Sequence, residues 1–212
     1  MEVTQSDLIK AIHRSQHCQR NWDLSREIPE DDMQVLITAA TQCPSKQNVA
    51  YYKAHFITNR DLIESIHSQT DGFKFSSTGT TTNSQVLANL LVVLEKYDDV
   101  ENYYRNEQWE QLKKGITNTG AEKLIERDRN MAVGVAAGYL NVTASLLGYS
   151  TGCCACFDGV AVKEILGLEN EPVLLMGIGF KNPEMNRRVH HNDHSFVFPT
   201  KPKQEIPVNM IH

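Results

Sequence analysis

The chain has no internal repeat and no low-complexity tract, so solenoid and array architectures are excluded. No apolar run at its N-terminus resembles a secretion signal, and the expected compartment is the cytoplasm. The longest mostly apolar stretch is broken by Asn141, Thr143 and Ser145 and starts beside charged residues, which makes it unsuitable as a membrane span. Positive charge is in deficit. Against 26 Asp and Glu stand 21 Lys and Arg, and the formal net charge of −5 argues against non-specific nucleic-acid binding. An even cysteine framework is missing too: five cysteines, three of them crowded at Cys153, Cys154 and Cys156, read as reduced thiols. Nor is there a glycine fingerprint of the kind that seats a dinucleotide at a helix N-terminus. What is present is ordinary for a globular protein, 41% hydrophobic and 22% charged in 212 residues, enough to bury one core.

The segment from Asp128 to Asp158 organises the rest. Its small residues (Ala132, Gly134, Ala136, Ala137, Gly138, Ala144) are mixed with Val133, Val135, Leu140, Val142 and Leu146. No face is polar enough to stay in water, which predicts a helix buried nearly all round. Gly134 and Gly138, one turn apart, would let another backbone approach closely. Gly148 ends the helix, and Ser150 to Cys156 emerges at one end of it.

Around this spine the patterns predict a helix over 6–16 capped by Ser6, and a second opened by Pro29 with acids in its first turn. A strand is expected over 51–58 and a short helix over 61–69. The Ser/Thr/Gly-rich stretch 70–83 reads as a loop, and the continuous apolar run 86–94 as a buried strand. A polar helical excursion over 97–114 carries Tyr103, Tyr104 and Trp109, which pack down on the body or line a cavity. A helix over 160–166 is capped by Asp158, and a buried strand over 172–180 ends in glycines. The tail holds Phe196, Val197, Phe198 and Ile206 without helical period, so it must bury them against something, a partner subunit being one candidate. Strands alternating with helices give an α/β or α+β sandwich, taken as one domain over 1–212.

Several segments together resemble the nitroreductase family. Pro44-Ser45-Lys46-Gln47-Asn48 at a helix end, followed by an aromatic strand, is similar to that family's flavin-binding segment, although Val49-Ala50-Tyr51-Tyr52 replaces its usual Gln-Pro-Trp continuation. Gln16-His17-Cys18-Gln19-Arg20-Asn21-Trp22 resembles an Arg-Arg-Ser-x-Arg-x-Phe type motif, with Gln16 and Cys18 replacing the first basic residue and the serine. A register through Arg14-Ser15 is the alternative. The spine with Phe157-Asp158 and the next helix, the strand ending Gly177-x-Gly179, and Arg187-Arg188 fall where the family has corresponding features. The likeness fails over about 95–127. It implies an α+β fold, a three-layer α/β sandwich in a domain-swapped homodimer with a long buried central helix.

The resemblance also implies a chemistry: an FMN enzyme that takes hydride from NADH or NADPH and passes it to a small electron-poor acceptor, a nitroaromatic or quinone, in ping-pong order. Arg20 is assigned the flavin N1/O2 edge, where its charge would favour the reduced ring. Gln16, His17 and Cys18 lie toward the phosphate with Arg187, Arg188 and Arg14, and with His190 or His191 close by. Since Cys18 is a poorer donor than serine, the arginines would carry more of that load. Asn83 and Gln85 are assigned to the ring's polar edge, and the backbone of Cys154, Ala155 and Cys156 to N5 and O4. Pro44, Ser45, Lys46 and Asn48 would reach the flavin from the partner subunit.

Two other readings compete. Cys153-x-x-Cys156 ahead of a helix is a possible dithiol, in which a helix N-terminus lowers a thiol pKa. Cys153, Cys154 and Cys156 with His190, His191 and His194 are a possible metal set, although their spacing is not a standard one. Singly, Arg20, Arg187 and Arg188 also fit solvated surface positions, and Gln85 a strand-entry cap.

Overall fold

The computed structural model describes residues 3–70, 83–97, 118–199 and 202–211. In chain order its elements are α1 (Gln5–Ser15), α2 (Glu30–Thr41), a 3-10 turn (Lys46–Asn48), β1 (Tyr52–Ile57) and α3 (Arg60–Ser68). A second 3-10 turn (Ser84–Val86), β2 (Leu90–Lys96), α4 (Asn118–Leu146), β3 (Ser150–Cys154), α5 (Gly159–Leu166) and β4 (Pro172–Gly179) follow. Most of the excursion and the loop after Thr70 lie outside the described residues, Tyr103, Tyr104 and Trp109 among them.

The four strands form one antiparallel sheet in the order β1-β2-β4-β3. β2 sits inside it, and successive side chains of a strand point to opposite faces. Leu90, Val92 and Leu94 therefore join α2 and α4 through Leu36, Ala40, Val133, Ala136 and Leu140. Leu91 and Val93 join α3 and α5 through Ile63, Ile66 and Val162 on the other face. With helices on both faces the strand has no polar side to show, which is why its sequence is a continuous apolar run. The result is the expected three-layer α+β sandwich.

Local signals place most helix ends. Asn59 caps α3 by accepting from Leu62 N, and Asp158 caps α5 by accepting from Ala161 N. At the first helix the cap is Thr4 rather than Ser6, in a reciprocal pair with Asp7. Gly148, at φ +93°, ends α4: Tyr149 N donates to Ala144 O and Gly148 N to Ser145 O, the double closure that a left-handed glycine permits.

Several expectations change. The central helix begins at Asn118 rather than Asp128 and spans about 43 Å at ~1.5 Å per residue. It is not buried all round, because Met131 (53% exposed), Gly134, Gly138 and Tyr139 (47%) form a solvent-facing stripe on the single chain. The strand expected over 86–94 starts only at Leu90, because Ser84–Val86 winds into a 3-10 turn that leans on the sheet. Ser150–Cys154, given no element from the sequence, is a strand held by its pairing with β4. In the tail Phe198 is buried, whereas Val197 is half exposed and Ile206 (77% exposed) has little cover among the described residues. Among the described residues no helix is long and apolar enough to cross a membrane.

Candidate functional site

The edge strand β3 is where the predicted site residues gather. Gly152 pairs with Gly177 across β3 and β4, and the missing side chains make room for the Ser84–Val86 turn. A Cβ on Gly177 would stand 2.0 Å from Gln85 O; one on Gly152 would stand 2.6 Å from Gln85 Cβ and 2.8 Å from Gln19 O. The segment after α1 is drawn to the same place, with Gln19 N donating to Thr151 O at 2.8 Å and Cys18 Sγ 3.2 Å from that built position on Gly152. Three remote pieces of chain, 18–20, 83–86 and 151–156, thus meet over a glycine pair.

Polar groups in this nest are held from behind. Asn83 Nδ2 donates to Cys156 O at 3.0 Å, and Gln85 Nε2 donates to Asn83 Oδ1 at 3.3 Å. Gln85 is buried, yet its Oε1 has no partner among the described residues, an acceptor left for something else. Gln19 Oε1 accepts from the amides of Arg20 and Asn21, and fixes the backbone that carries Arg20. The Arg20 guanidinium lies 4.4 Å above the Phe198 ring. Burial pushes the Cys18 thiol up, opposed by the positive charges of Arg20 and Arg187. Arg188 Nε donates to Phe198 O at 3.3 Å. Ala155 and Cys156 are exposed beyond the end of β3.

Cys18, Arg20, Asn83, Gln85, Cys154, Ala155, Cys156, Arg187 and Arg188 therefore belong to one neighbourhood. Gln16 and His17 are exposed in the turn just before it, and Gln16 Nε2 bonds His13 Nδ1 at 3.1 Å. Arg14 is engaged elsewhere: its NH2 donates to Ser145 O at 2.7 Å, where a cation offsets the negative end of α4. His190 is a buried member of the ring cluster with Phe196 and Phe198.

Pro44, Ser45, Lys46 and Asn48 are not part of that neighbourhood within one chain. They sit before β1, at the opposite edge of the sheet from β3, three interstrand steps or roughly 14 Å away. There Pro44, Ser45, Asn48, Tyr52 and Tyr139 help to line a cleft of about 690 Å³. Ser45 Oγ donates to Val49 O at 2.8 Å, and Lys46 Nζ meets the buried Asp128 carboxylate at 2.5 Å. Burial raises Asp128, but the hydrogen bonds and charges of Lys46 and Arg127 outweigh it and hold the carboxyl below its ordinary range. Gln47 and Asn48 are both left-handed, at φ 56° and 57°, a costly pair for residues with side chains.

The competing chemistries lose their geometry. The N-terminus of α5 is capped by Asp158, not by a thiol. Burial pushes the Cys153 thiol of the possible dithiol up, away from a reactive thiolate. Among the described residues no group of three or more His, Cys, Asp or Glu is placed to hold a metal ion. Phe198 is the member that sequence reasoning missed. Its aromatic pattern was visible, but its contact with Arg20 was not.

A model of the nitroreductase family matches residues 14–180. No curated protein sequence matches the chain. Among solved structures, a proposed nitroreductase from Bacillus subtilis superposes with a TM-score of 0.70 at 16% identity, covering 98% of this chain and 100% of its own. A proposed nitroreductase from Exiguobacterium sibiricum, in complex with FMN, gives 0.67 at 16% identity over 96% and 95%. A proposed NAD(P)H:FMN oxidoreductase from Staphylococcus epidermidis gives 0.63 at 20% identity over 88% and 93%. At these identities the likeness establishes the fold.

Proposed function

The chain belongs to the nitroreductase family, and from that premise we propose that it is an FMN-dependent oxidoreductase drawing electrons from NADH or NADPH. The observation that carries the reading is the nest at the end of β3: a buried amide acceptor without a partner, beside a cluster of arginines. These groups suit a planar heterocycle that offers a donor along one edge and carries a phosphate at its tail. The FMN complex of the Exiguobacterium relative is consistent with that fit.

When bound, FMN supplies hydride transfer between the nicotinamide and an electron-poor acceptor such as a nitroaromatic or quinone. The chain's own part is to hold and to bias. Arg20 would place positive charge at the ring edge where negative charge collects. Gln85 Oε1 would accept from the ring, with Asn83 holding the Gln85 amide in direction. The Ala155 and Cys156 amides are offered to the reacting side, while Arg187 and Arg188 take the phosphate with Gln16, His17 and Cys18 as minor donors.

A second copy of the chain would complete the site. The Ser45–Asn48 loop and its cleft lie too far across the sheet to serve the nest of their own chain. The solvent-facing stripe on α4 and the apolar tail (Ile206, Val208, Met210, Ile211) both lack cover. A homodimer that exchanges tails would bury both and bring one subunit's loop to the other's nest.

The test is a visible spectrum of the purified protein, followed by anaerobic addition of NADH or NADPH. Yellow protein that bleaches with one equivalent of reductant is the expected result. A colourless protein that refuses added FMN ends the reading.

A further inference from the structure

Residues 186–198 fold back as a hairpin, closed by the Val189–Val197 bridge, against the segment that carries Arg20. Asn21 joins the two: its Nδ2 donates to Asn186 O at 2.7 Å and to Val189 O at 2.8 Å. At the hairpin's end the buried Phe198 lies under the Arg20 guanidinium. Behind Phe198 stacks His190, with centroids 5.9 Å apart and planes at 30°, while Phe196 meets Phe198 edge-on at 5.1 Å. His190 is itself pinned, since Nδ1 accepts from Asp193 N at 3.1 Å and its own amide donates to Phe196 O at 3.0 Å. The Phe198 backbone also grips Arg188, donating to Arg188 O at 2.6 Å and accepting from Arg188 Nε at 3.3 Å.

A long arginine side chain needs support if its charge is to stay in one place, because ordering it costs rotamer entropy. A carboxylate would supply that support but would cancel the charge and occupy the donors. A ring face does neither: it takes the flat side of the guanidinium and leaves the N–H edge free. Among the described residues no acceptor takes a hydrogen bond from the Arg20 guanidinium, so Phe198 is its visible support.

We infer that Phe198, braced by His190, is a positioning residue that aims Arg20 and tethers Arg188 at the proposed flavin site. The role in flavin binding rests on the functional reading above; the stack itself does not. Phe198 touches no reacting atom. It acts through the two arginines.

Three measurements on the full chain test this. Phe198→Leu is expected to weaken FMN binding about tenfold and to move the flavin midpoint potential to more negative values, while Phe198→Tyr, which keeps a π face, stays within about twofold of the parent. In an Arg20→Ala background, Phe198→Leu should add less than about a further threefold, the remainder acting through Arg188. In protein freed of cofactor, phenylglyoxal followed by peptide mass spectrometry should modify Arg20 several-fold faster in Phe198→Leu than in the parent. If Phe198→Leu does not fold, Phe198→Met keeps the volume without the ring and serves in its place. Full additivity with Arg20→Ala, or equal Arg20 reactivity in parent and variant, overturns the inference. A parent that takes no FMN overturns the functional reading, and the phenylglyoxal rates then still decide the stack.

Discussion

Gln85 and Gln19, the residue before Arg20, pack directly on Gly152, and Gln85 also on Gly177, where a side chain would clash. On the proposed reading Arg20 would supply positive charge and Gln85 a directional acceptor, while Gly152 and Gly177 leave the room. Replacing Arg20 by Ala should shift the bound flavin's midpoint potential to more negative values and slow its reduction by NAD(P)H by about tenfold or more. Stopped-flow reduction under anaerobic conditions measures this, and an unchanged rate and potential would remove Arg20 from the role. Cysteine matters less than its abundance near β3 suggests. Cys154 is buried with its thiol held protonated, so it fills space there.

Within elements, the tightest constraint is the seat of the Ser84–Val86 turn on β4. Gly177→Ala would push a methyl to 2.0 Å from Gln85 O, a backbone atom with no rotamer to relieve the clash. The expected cost is roughly 3 kcal/mol of stability, together with loss of FMN binding. Gly159→Ala, whose new methyl would find nothing closer than 3.7 Å, is the control and should be near neutral. Denaturant unfolding compares the two, and equal effects would show that the turn is not seated as described. A second contact between elements is sensitive to acid. The His67 ring on α3 meets His191 edge-on at 5.7 Å, and burial, helped by the neighbouring histidines, lowers both to about 4. Arg60 adds to the effect on His67. In the unfolded chain each imidazole binds its proton near 6.5, so the unfolded state takes up protons first as pH falls. Stability is therefore level above about pH 6.5 and declines from there toward pH 4, by at most ~1.4 kcal/mol per pH unit for each imidazole. Urea titrations at pH 7.5, 6 and 5 check this, and His67→Gln should flatten the decline; an unchanged slope would take His67 out of it.

For the whole molecule, the question is what covers the α4 stripe. A Cβ built on Gly134 or Gly138 has nothing within 4 Å, so the single chain does not require these glycines for its own packing. Gly138→Trp should leave the subunit folded, since a helix interior favours almost any residue over glycine by up to ~1 kcal/mol. The same change should prevent self-association, and with it FMN binding that depends on the partner's Ser45–Asn48 loop. Sedimentation equilibrium reads the first effect and flavin fluorescence the second. A variant that remains dimeric would place the interface elsewhere.

What could be read from the residues alone was whatever a few neighbours decide among themselves. Asn59 and Asp158 mark their helices because a cap acts over three residues, and Gly148 ends α4 because one left-handed residue suffices. The apolar run feeding β2 was legible for the same reason. Ser150–Cys154 was not, because its small residues have little strand preference and become a strand only by pairing with β4. The start of β2 was misplaced because Val86 and Leu87 are as apolar as the strand, and only the seat at Gly177 turns them aside. The solvent-facing stripe of α4 was hidden because glycine and alanine look equally suited to a core and to a close-packed surface. The meeting of Arg20 with Phe198, and the separation of the Ser45–Asn48 loop from the nest, belong to tertiary structure alone: each joins or parts residues far apart in the chain, and strand order, not local preference, sets those distances.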